Sequence, residues 1–304
     1  MILFLLQSVM VVGVGMAGLA FVTLMERKML GVMQYREGPN KVVGGYMQPV
    51  ADAVKLVSKG GVGWMVVNMV GYYVGPVILV SLMVVCWVLF PSEYGISGMS
   101  CSLLGFVLIL SLSVYGLLVG GWMSNSKYGL IGAMRSVAQT ISYEVSLVLV
   151  VMFWVLFMGS YMIEDGGLGV YFFMMNGLVF GVLMIICVAE LNRSPFDFSE
   201  GESELVSGFN VEYGSLLFVF IFMSEYGFVV FWSVVVGWMY LGGLSGVLGG
   251  VKVVGLSLMI LWWRGMLPRF RYDKLMGLAW DVMLYVAMWS YLLGVGVVSS
   301  MLSS

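Results

Sequence analysis

The sequence contains no histidine, and its only cysteines are Cys86, Cys101 and Cys187, which lie far apart. It therefore has no Cys-x-x-Cys pair, no histidine pair for haem and no thiolate set for an iron–sulfur cluster. Charged residues occupy only 10% of the 304 positions, against about 25% in soluble domains. We expect a chain with no redox centre of its own, and the scarcity of charge excludes a water-soluble fold.

Apolar residues are abundant, at 61% of all positions. A helix needs about 20 of them to cross a hydrocarbon core about 30 Å thick. Eight runs meet this requirement: 2–25, 65–90, 99–123, 130–158, 168–190, 213–240, 247–263 and 275–300. The pattern predicts an all-α polytopic membrane protein with about eight transmembrane helices, forming a single integral membrane domain over residues 1–304.

The Lys and Arg residues fall on one side of these spans. All except Lys252 lie in segments that follow the first, third, fifth and seventh runs. These basic-side loops are 26–64, 124–135, 191–212 and 264–274. By the positive-inside rule they face the cytoplasm or, in an organelle, the matrix. The first run ends in Glu26-Arg27-Lys28, so we expect a retained span rather than a cleaved targeting peptide.

The first basic-side loop contains a second kind of helix. Gly38-Pro39-Asn40 is a turn signal, and Pro49 suits the first position of a helix. Beyond it, Asp52 and Lys55 share one helical face, whereas valines such as Val54 occupy the other. This pattern predicts an amphipathic helix that lies in the membrane interface and borders a cavity. A solvated connecting loop is the alternative.

Four carboxylates fall within or at the ends of the apolar runs: Glu144, Glu190, Glu225 and Asp281. An acid at the bilayer centre costs roughly 2.5–3.5 kcal/mol, and such residues often serve as proton carriers. For Glu144 and Glu225 we favour a proton relay over a structural partner of a buried hydroxyl or base. Glu190 lies at a helix end, where a carboxylate with no role beyond its place at the interface is as well supported as a proton relay. For Asp281 we favour a carboxylate that is hydrated by local water.

The most informative segment is residues 189–213, AELNRSPFDFSEGESELVSGFNVEY. After Glu190 at its start, it carries one base, Arg193, against the acids Asp197, Glu200, Glu202, Glu204 and Glu212. Aromatic residues such as Phe196 and Phe198 are interleaved with these acids, which indicates a partly buried site rather than a solvated acidic patch, the other interpretation. The basic loops 26–64 and 264–274 offer opposite charge, and we expect the three loops to form one charged funnel.

The chain resembles the NADH dehydrogenase subunit 1 family, the quinone-site membrane subunits of respiratory complex I. The resemblance covers about residues 20–280 and rests on MERKMLGVMQYREGPNKV, QPVADAVKL, GWMSNSKYGLIGAMRSVAQTISYE, the segment 189–213 and LPRFRYDKLM. It implies an eight-helix subunit, at the junction of the hydrophilic and membrane arms, that walls the chamber for its substrate ubiquinone. It also implies contacts with other complex I subunits and membrane lipids but no nucleic acid, and a mitochondrial inner-membrane location with the long charged loops in the matrix. NADH, FMN and iron–sulfur clusters are then expected in partner subunits only.

The resemblance also implies roles for individual residues. Those that match the family's quinone channel are Glu26, Arg27, Arg36, Asp52, Asp197, Glu200, Glu202, Glu204, Arg269 and Arg271. Those that match its proton-transfer carboxylates are Glu144, Glu190, Glu212 and Glu225. Two positions depart from the family pattern: Gly60 stands where many relatives have an acid, and Asp281 where they usually have a Lys.

Residues and resemblance together predict a subunit of a proton-pumping NADH:ubiquinone oxidoreductase. It would form the ubiquinone channel and link quinone reduction to proton translocation through buried carboxylates. Other classes stay open at this point. A stand-alone ion transporter would be expected to show inverted internal repeats, which are not visible in the sequence. An anchor subunit of a related membrane-bound hydrogenase differs in its soluble partner, and a purely structural role leaves Glu225 unexplained.

Overall fold

The computed structural model describes residues 2–60, 67–89, 101–163, 176–199, 201, 208–210, 212–242 and 246–303. Over these ranges the chain is helical and has no β-strand. The helices are α1 (Ile2–Met33), α2 (Gln48–Ser58), α3 (Met69–Val88), α4 (Ser102–Met123), α5 (Lys127–Met158), α6 (Gly177–Glu190), α7 (Ser215–Leu241), α8 (Gly246–Met266), α9 (Tyr272–Gly277) and α10 (Leu284–Ser303). A π-helical segment, Leu278–Met283, joins α9 to α10, and short 3-10 turns occur at Val43–Gly45 and Gly208–Asn210.

Seven helical stretches of the described chain are long and apolar enough to cross a bilayer. They are Val9–Met33, Met69–Val88, Ser102–Met123, Lys127–Met158, Ser215–Leu241, Gly246–Met266 and Tyr272–Met301. The predicted all-α polytopic architecture is therefore confirmed. Of the remaining predicted span, 168–190, the structure describes α6, which has 14 residues; the beginning of that span lies outside the described residues.

The first helix is longer than its apolar run predicts. α1 continues beyond Met25 to Met33, because Arg, Lys and Glu are good helix formers. Glu26 and Arg27 therefore lie on α1 and not in a loop that begins at residue 26. Arg264 likewise lies in the last turn of α8, so the predicted start of the last basic-side loop is also wrong. On a helix these side chains have fixed directions toward neighbouring elements.

The helix predicted after Gly38-Pro39-Asn40 is present as α2, with Pro49 in its first turn. Its Val54 is 63% exposed, whereas Asp52 is hydrogen-bonded to Arg27 of α1. An exposed apolar face opposite an anchored polar residue is what an interfacial amphipathic helix requires.

Glycines allow α3 and α4 to approach closely. An ideal Cβ atom on Gly75 would lie 2.8 Å from the Gly120 Cα, and one on Gly116 would lie 2.7 Å from a methyl carbon of Leu79. Real Cβ atoms do not come so near, so this crossing depends on small residues, as is common between membrane helices. The Tyr213 hydroxyl donates to the Gly120 carbonyl at 3.0 Å, which ties the segment before α7 to the pair.

α7 is the central helix of the bundle. In its most apolar window 61% of the residues are buried, against 17% in both α1 and the last span. Its Trp232 and Tyr240 are fully buried, together with Trp154 and Tyr143 of α5. The first and last spans therefore present apolar surface outward, while α5 and α7 form the interior against which the charged loops pack.

One amide holds the loop after α6 against α5. The Gln139 side chain of α5 donates to the carbonyl of Ala189 at 2.9 Å and to that of Phe196 at 3.0 Å. The same loop accepts a hydrogen bond at its Pro195 carbonyl from the Phe270 amide, at 3.1 Å. These contacts bring the start of the acidic segment beside the basic segment that precedes α9.

Candidate functional site

A buried carboxylate lies at the centre of the site. Glu26 of α1 is only 3% exposed. The Tyr226 hydroxyl of α7 donates to Glu26 Oε2 at 2.5 Å. Arg264 of α8 forms an ion pair with Oε1, and Nη1 of Arg193 lies 3.5 Å from the same oxygen. A carboxylate can stay charged in such a place only because donors surround it.

Arg193 connects this carboxylate to a second one. Its Nη1 donates to the Tyr226 hydroxyl at 3.4 Å, and its Nη2 to Glu225 Oε2 at 3.5 Å. The guanidinium also lies 4.3 Å from the centre of the Tyr226 ring. Burial by itself would lower the pKa of Arg193, but Tyr226, Glu26 and Glu225 hold this pKa above its ordinary value. We define Glu26, Arg193, Glu225, Tyr226 and Arg264 as the Glu26 cluster.

A polar cavity of about 350 Å³ lies beside the cluster, and we name it the charged cavity. It is lined by Asn192, Arg193, Ser194, Asp197, Ser199, Asn210, Phe218, Phe222, Glu225 and Arg264. Asp197 is 6% exposed. Its Oδ2 lies 3.4 Å from Nη2 of Arg269. Guanidinium groups and carboxylates thus face one partly enclosed space, where electrostatic interactions are stronger than in bulk water.

A second cavity, of about 300 Å³, lies between α1, α2 and α7, and we name it the apolar cavity. Most of its lining is apolar, including Met16 and Leu19 of α1, while Arg27 and Asp52 provide its polar part. Phe218 and Phe222 line both the apolar and the charged cavity. Their ring centroids lie 4.4 Å apart. The two cavities therefore adjoin at this aromatic pair.

Asp52 anchors the interfacial helix at the apolar cavity. Its Oδ2 accepts a hydrogen bond from Arg27 at 2.7 Å and its Oδ1 accepts one from Gln48 at 2.9 Å. Burial acts to raise the pKa of Asp52, but the hydrogen bonds from Arg27 and Gln48 outweigh it and hold this pKa below its ordinary value. The carboxylate form of Asp52 is thus favoured in the folded chain.

A third space, of about 50 Å³, lies deeper in the bundle, and we name it the carboxylate cavity. Glu190 and Glu225 both line it, and Glu225 also lines the charged cavity. Glu144 of α5 interacts electrostatically with Glu190 at the end of α6. The structure therefore places Glu225, Glu190 and Glu144 in a series that leads away from the charged cavity.

The predicted site residues divide into three groups. The structure brings together Glu26, Asp197, Glu225 and Glu190, with Glu144 next to Glu190, Arg269 beside Asp197 and Arg27 paired with Asp52. Others do not line the cavities just described: Arg36 is exposed in a surface pocket that shares Arg27 with the apolar cavity, Arg271 pairs with Asp273, Glu212 lies on the segment tied to α3, and Asp281 is exposed on the π-helical segment. Glu200, Glu202 and Glu204 lie outside the described residues.

Sequence reasoning did not include Arg193, Arg264 or Tyr226 among the site residues. A signal for Arg193 was present, since it is the single base in a strongly acidic segment. Arg264 was assigned to a basic loop as one charge among four, and Tyr226 is one of 16 tyrosines. Their importance follows from contacts between α1, α7 and α8, which no local pattern reveals.

The fold and the site define a class: polytopic membrane proteins that bury a network of ionisable groups next to both an apolar and a polar cavity. Comparison with known proteins gives the family. The family model described as NADH dehydrogenase matches residues 6–295. The chain therefore belongs to the NADH dehydrogenase family, which confirms the resemblance seen in its sequence segments.

Several relatives match along nearly their whole length. NADH-ubiquinone oxidoreductase chain 1 of Anopheles gambiae is 43% identical over 284 residues, which cover 91% of this chain and 90% of the relative. The protein of the same name from Heterololigo bleekeri is 43% identical over 291 residues, covering 92% of each. That from Lampetra fluviatilis is 40% identical over 293 residues, covering 92% and 91%.

Proposed function

We propose that this chain is the membrane subunit of an NADH-ubiquinone oxidoreductase that admits ubiquinone and links its reduction to proton translocation. Its relatives carry the name of that enzyme. The observation that carries the proposal is the junction of the apolar and charged cavities at Phe218 and Phe222. Ubiquinone has a long apolar tail and a polar head group, and these two adjoining spaces match its two parts.

The apolar cavity suits the isoprenoid tail. α2 forms one wall, and its exposed valines support a position of this helix at the level of the membrane interface. A quinone that enters from the bilayer passes between α1, α2 and α7, with the Arg27–Asp52 pair at the polar end of the wall. The head group then reaches the charged cavity beyond Phe222.

The charged cavity suits the reduction step. Electrons come from a redox centre in a partner subunit, where NADH, FMN and iron–sulfur clusters are expected. Reduction to quinol consumes two protons and places transient negative charge in a weakly screened space. Arg193 and Arg264 stabilise that charge, and the carboxylates beside them respond to it by changing their proton occupancy.

The series Glu225, Glu190 and Glu144 carries this response into the membrane. Glu225 borders the charged cavity and shares the carboxylate cavity with Glu190. Glu190 in turn interacts with Glu144. Acids within membrane helices are costly to insert and are typical of proton pathways. Glu212 belongs to the proposed set by resemblance, from its place at the end of the acidic segment.

Location and partners follow from the same assignment. The chain is placed in the mitochondrial inner membrane, with its basic-side loops in the matrix by the positive-inside rule. There the loops meet the hydrophilic subunits that deliver electrons, while the outward apolar faces of α1 and α10 meet lipid and membrane subunits. Comigration of this chain with inhibitor-sensitive, NADH-driven quinone reductase activity is expected; a lone chain, or hydrogenase activity, would contradict the assignment.

Glu225→Gln tests the mechanism. In the assembled complex it removes a titratable group shared by the charged and carboxylate cavities, so proton translocation per quinone reduced should fall, with a slower quinone reduction. Glu37→Gln is the control, since Glu37 is exposed in the first basic-side loop. Unchanged quinone reduction and unchanged translocation in Glu225→Gln would overturn the proposed coupling.

A further inference from the structure

We infer that Asn192 is a positioning residue that holds a water molecule between Glu225 and Glu190 and so completes the hydrogen-bonded path between them. The inference rests on the proposed function, because it adds a residue to the same carboxylate series. It assigns a task to a neutral side chain that neither charge patterning nor resemblance singles out.

Asn192 lies where two cavities meet. It lines the charged cavity with Arg193 and Glu225, and it lines the carboxylate cavity with Glu190 and Glu225. Ser199 borders both spaces as well. A group held by Asn192 therefore lies on the route that leads from the charged cavity to Glu190.

Two buried oxygen atoms need a donor at this junction. Oδ1 of Asn192 and Oε1 of Glu190 are inaccessible to solvent and have no hydrogen-bond partner within the described chain. Both are acceptors, and two acceptors cannot satisfy each other. A water molecule offers two O–H donors and can bridge them. The carboxylate cavity has about 50 Å³, which holds one or two waters, since a water occupies about 30 Å³ in the liquid.

The backbone explains why asparagine suits the position. Asn192 has φ of 48°, in the left-handed region. Asparagine tolerates this conformation better than most residues, and glycine tolerates it without cost. The position thus combines a left-handed turn after α6 with a side-chain acceptor. Glycine would keep the turn and remove the side-chain amide with its acceptor, which makes it a suitable test substitution.

The water lets a proton pass without direct contact of the two acids. A protonated Glu225 gives its proton to the water oxygen, and the water gives one of its own protons to the Glu190 carboxylate. One O–H bond breaks and one forms at each exchange, so the water is regenerated and one proton has moved. Asn192 accepts a hydrogen bond from the water throughout and keeps it oriented.

The test compares Asn192→Gly with Asn125→Gly in the assembled complex. Asn125 also has a left-handed backbone, with φ of 51°, but it lies between α4 and α5 and lines none of the three cavities. We expect Asn192→Gly to lower kcat about tenfold, to leave KM for ubiquinone unchanged and to enlarge the solvent deuterium isotope effect. Asn125→Gly should match the unsubstituted complex in all three. Equal kcat, isotope effect and translocation stoichiometry in the two variants would overturn the role of Asn192.

Two further measurements keep the inference separate from the function on which it rests. If Glu225→Gln impairs quinone reduction and translocation while Asn192→Gly behaves like Asn125→Gly, the relay stands and the Asn192 inference fails; if Glu225→Gln has no effect, the relay itself fails. Should Asn192→Gly prevent assembly, a density map of the unsubstituted complex that resolves waters decides the matter. A water within hydrogen-bond distance of both Asn192 Oδ1 and Glu190 supports the inference, and its absence there overturns it.

Discussion

The Tyr226 hydroxyl and the Glu26 carboxylate are 200 positions apart in sequence and meet at 2.5 Å inside the bundle. The bond joins α1 to α7, and the Tyr226 ring also lies under the Arg193 guanidinium. One side chain therefore contacts an anion through its hydroxyl and a cation through its ring face. Tyr226 thus links the Glu26 carboxylate to the Arg193 guanidinium within the Glu26 cluster.

Tyr226→Phe keeps the ring and removes only the donor to Glu26. A hydrogen bond to a charged group contributes about 1.5–3 kcal/mol, so we expect quinone reductase activity to fall roughly tenfold or more, with the complex still assembled. Tyr115→Phe is the matched control, because Tyr115 is 62% exposed on α4. Full activity in Tyr226→Phe would mean that this hydrogen bond is not needed for turnover.

Arg193→Gln should prevent stable assembly. The substitution leaves Glu26 and Glu225 without the cation that lies between them, and removing one partner of a buried ion pair costs about 3–5 kcal/mol. Native gel electrophoresis of solubilised membranes should then show little intact complex. Lys41→Gln changes an exposed cation and should leave the amount unchanged. Normal assembly of both variants would contradict the structural importance of Arg193.

Gly132→Ala should displace the acidic segment. An ideal Cβ atom on Gly132 of α5 would lie 3.0 Å from both the Phe209 amide nitrogen and the Ser199 carbonyl oxygen. Because both neighbours are backbone atoms, we expect a cost of about 1–3 kcal/mol, seen as a lower temperature of inactivation. Gly181→Ala is the control, since nothing lies within 4 Å of its ideal Cβ atom. Equal thermal stability of the two variants would argue against this close contact.

The Arg27–Asp52 pair makes the docking of α2 depend on pH. Because the folded-state pKa of Asp52 is lowered, its stabilising contribution is present above the ordinary Asp pKa of about 3.9 and is lost as pH falls through the lowered value. The contribution is at most about 1 kcal/mol, since the Arg27 and Asp52 side chains are 53% and 34% exposed. Asp52→Asn should therefore speed amide hydrogen exchange in α2 at neutral pH.

The same experiment carries its own control. In acid below the lowered pKa, the unsubstituted protein should exchange as fast as Asp52→Asn once the intrinsic effect of pH is removed. Gln48 donates to the other oxygen of Asp52, so Gln48→Ala should give a smaller change in the same direction. A constant difference between the proteins from neutral to acid pH would show that the carboxylate charge is not the cause.

Some elements of the site were accessible from local pattern alone. Asp197 lies between Phe196 and Phe198, and all three are buried, as the interleaving of acids and aromatics indicated. Pro49 and the charged face around Asp52 predicted α2. By contrast, the boundary at Met25 was wrong because apolar content marks where a helix meets lipid, not where its hydrogen bonding ends.

The sequence by itself determined that this chain is a bundle of membrane helices, because hydropathy acts through each residue's own transfer between water and lipid. Tertiary structure alone decided that Glu26 meets Arg193, Tyr226 and Arg264, and that an apolar cavity adjoins a charged one at Phe218 and Phe222. Those relationships depend on how α1, α7 and α8 pack. Packing depends on the shapes of many side chains at once. The residue that pairs with a buried charge is therefore a neighbour in space and need not be a neighbour in sequence.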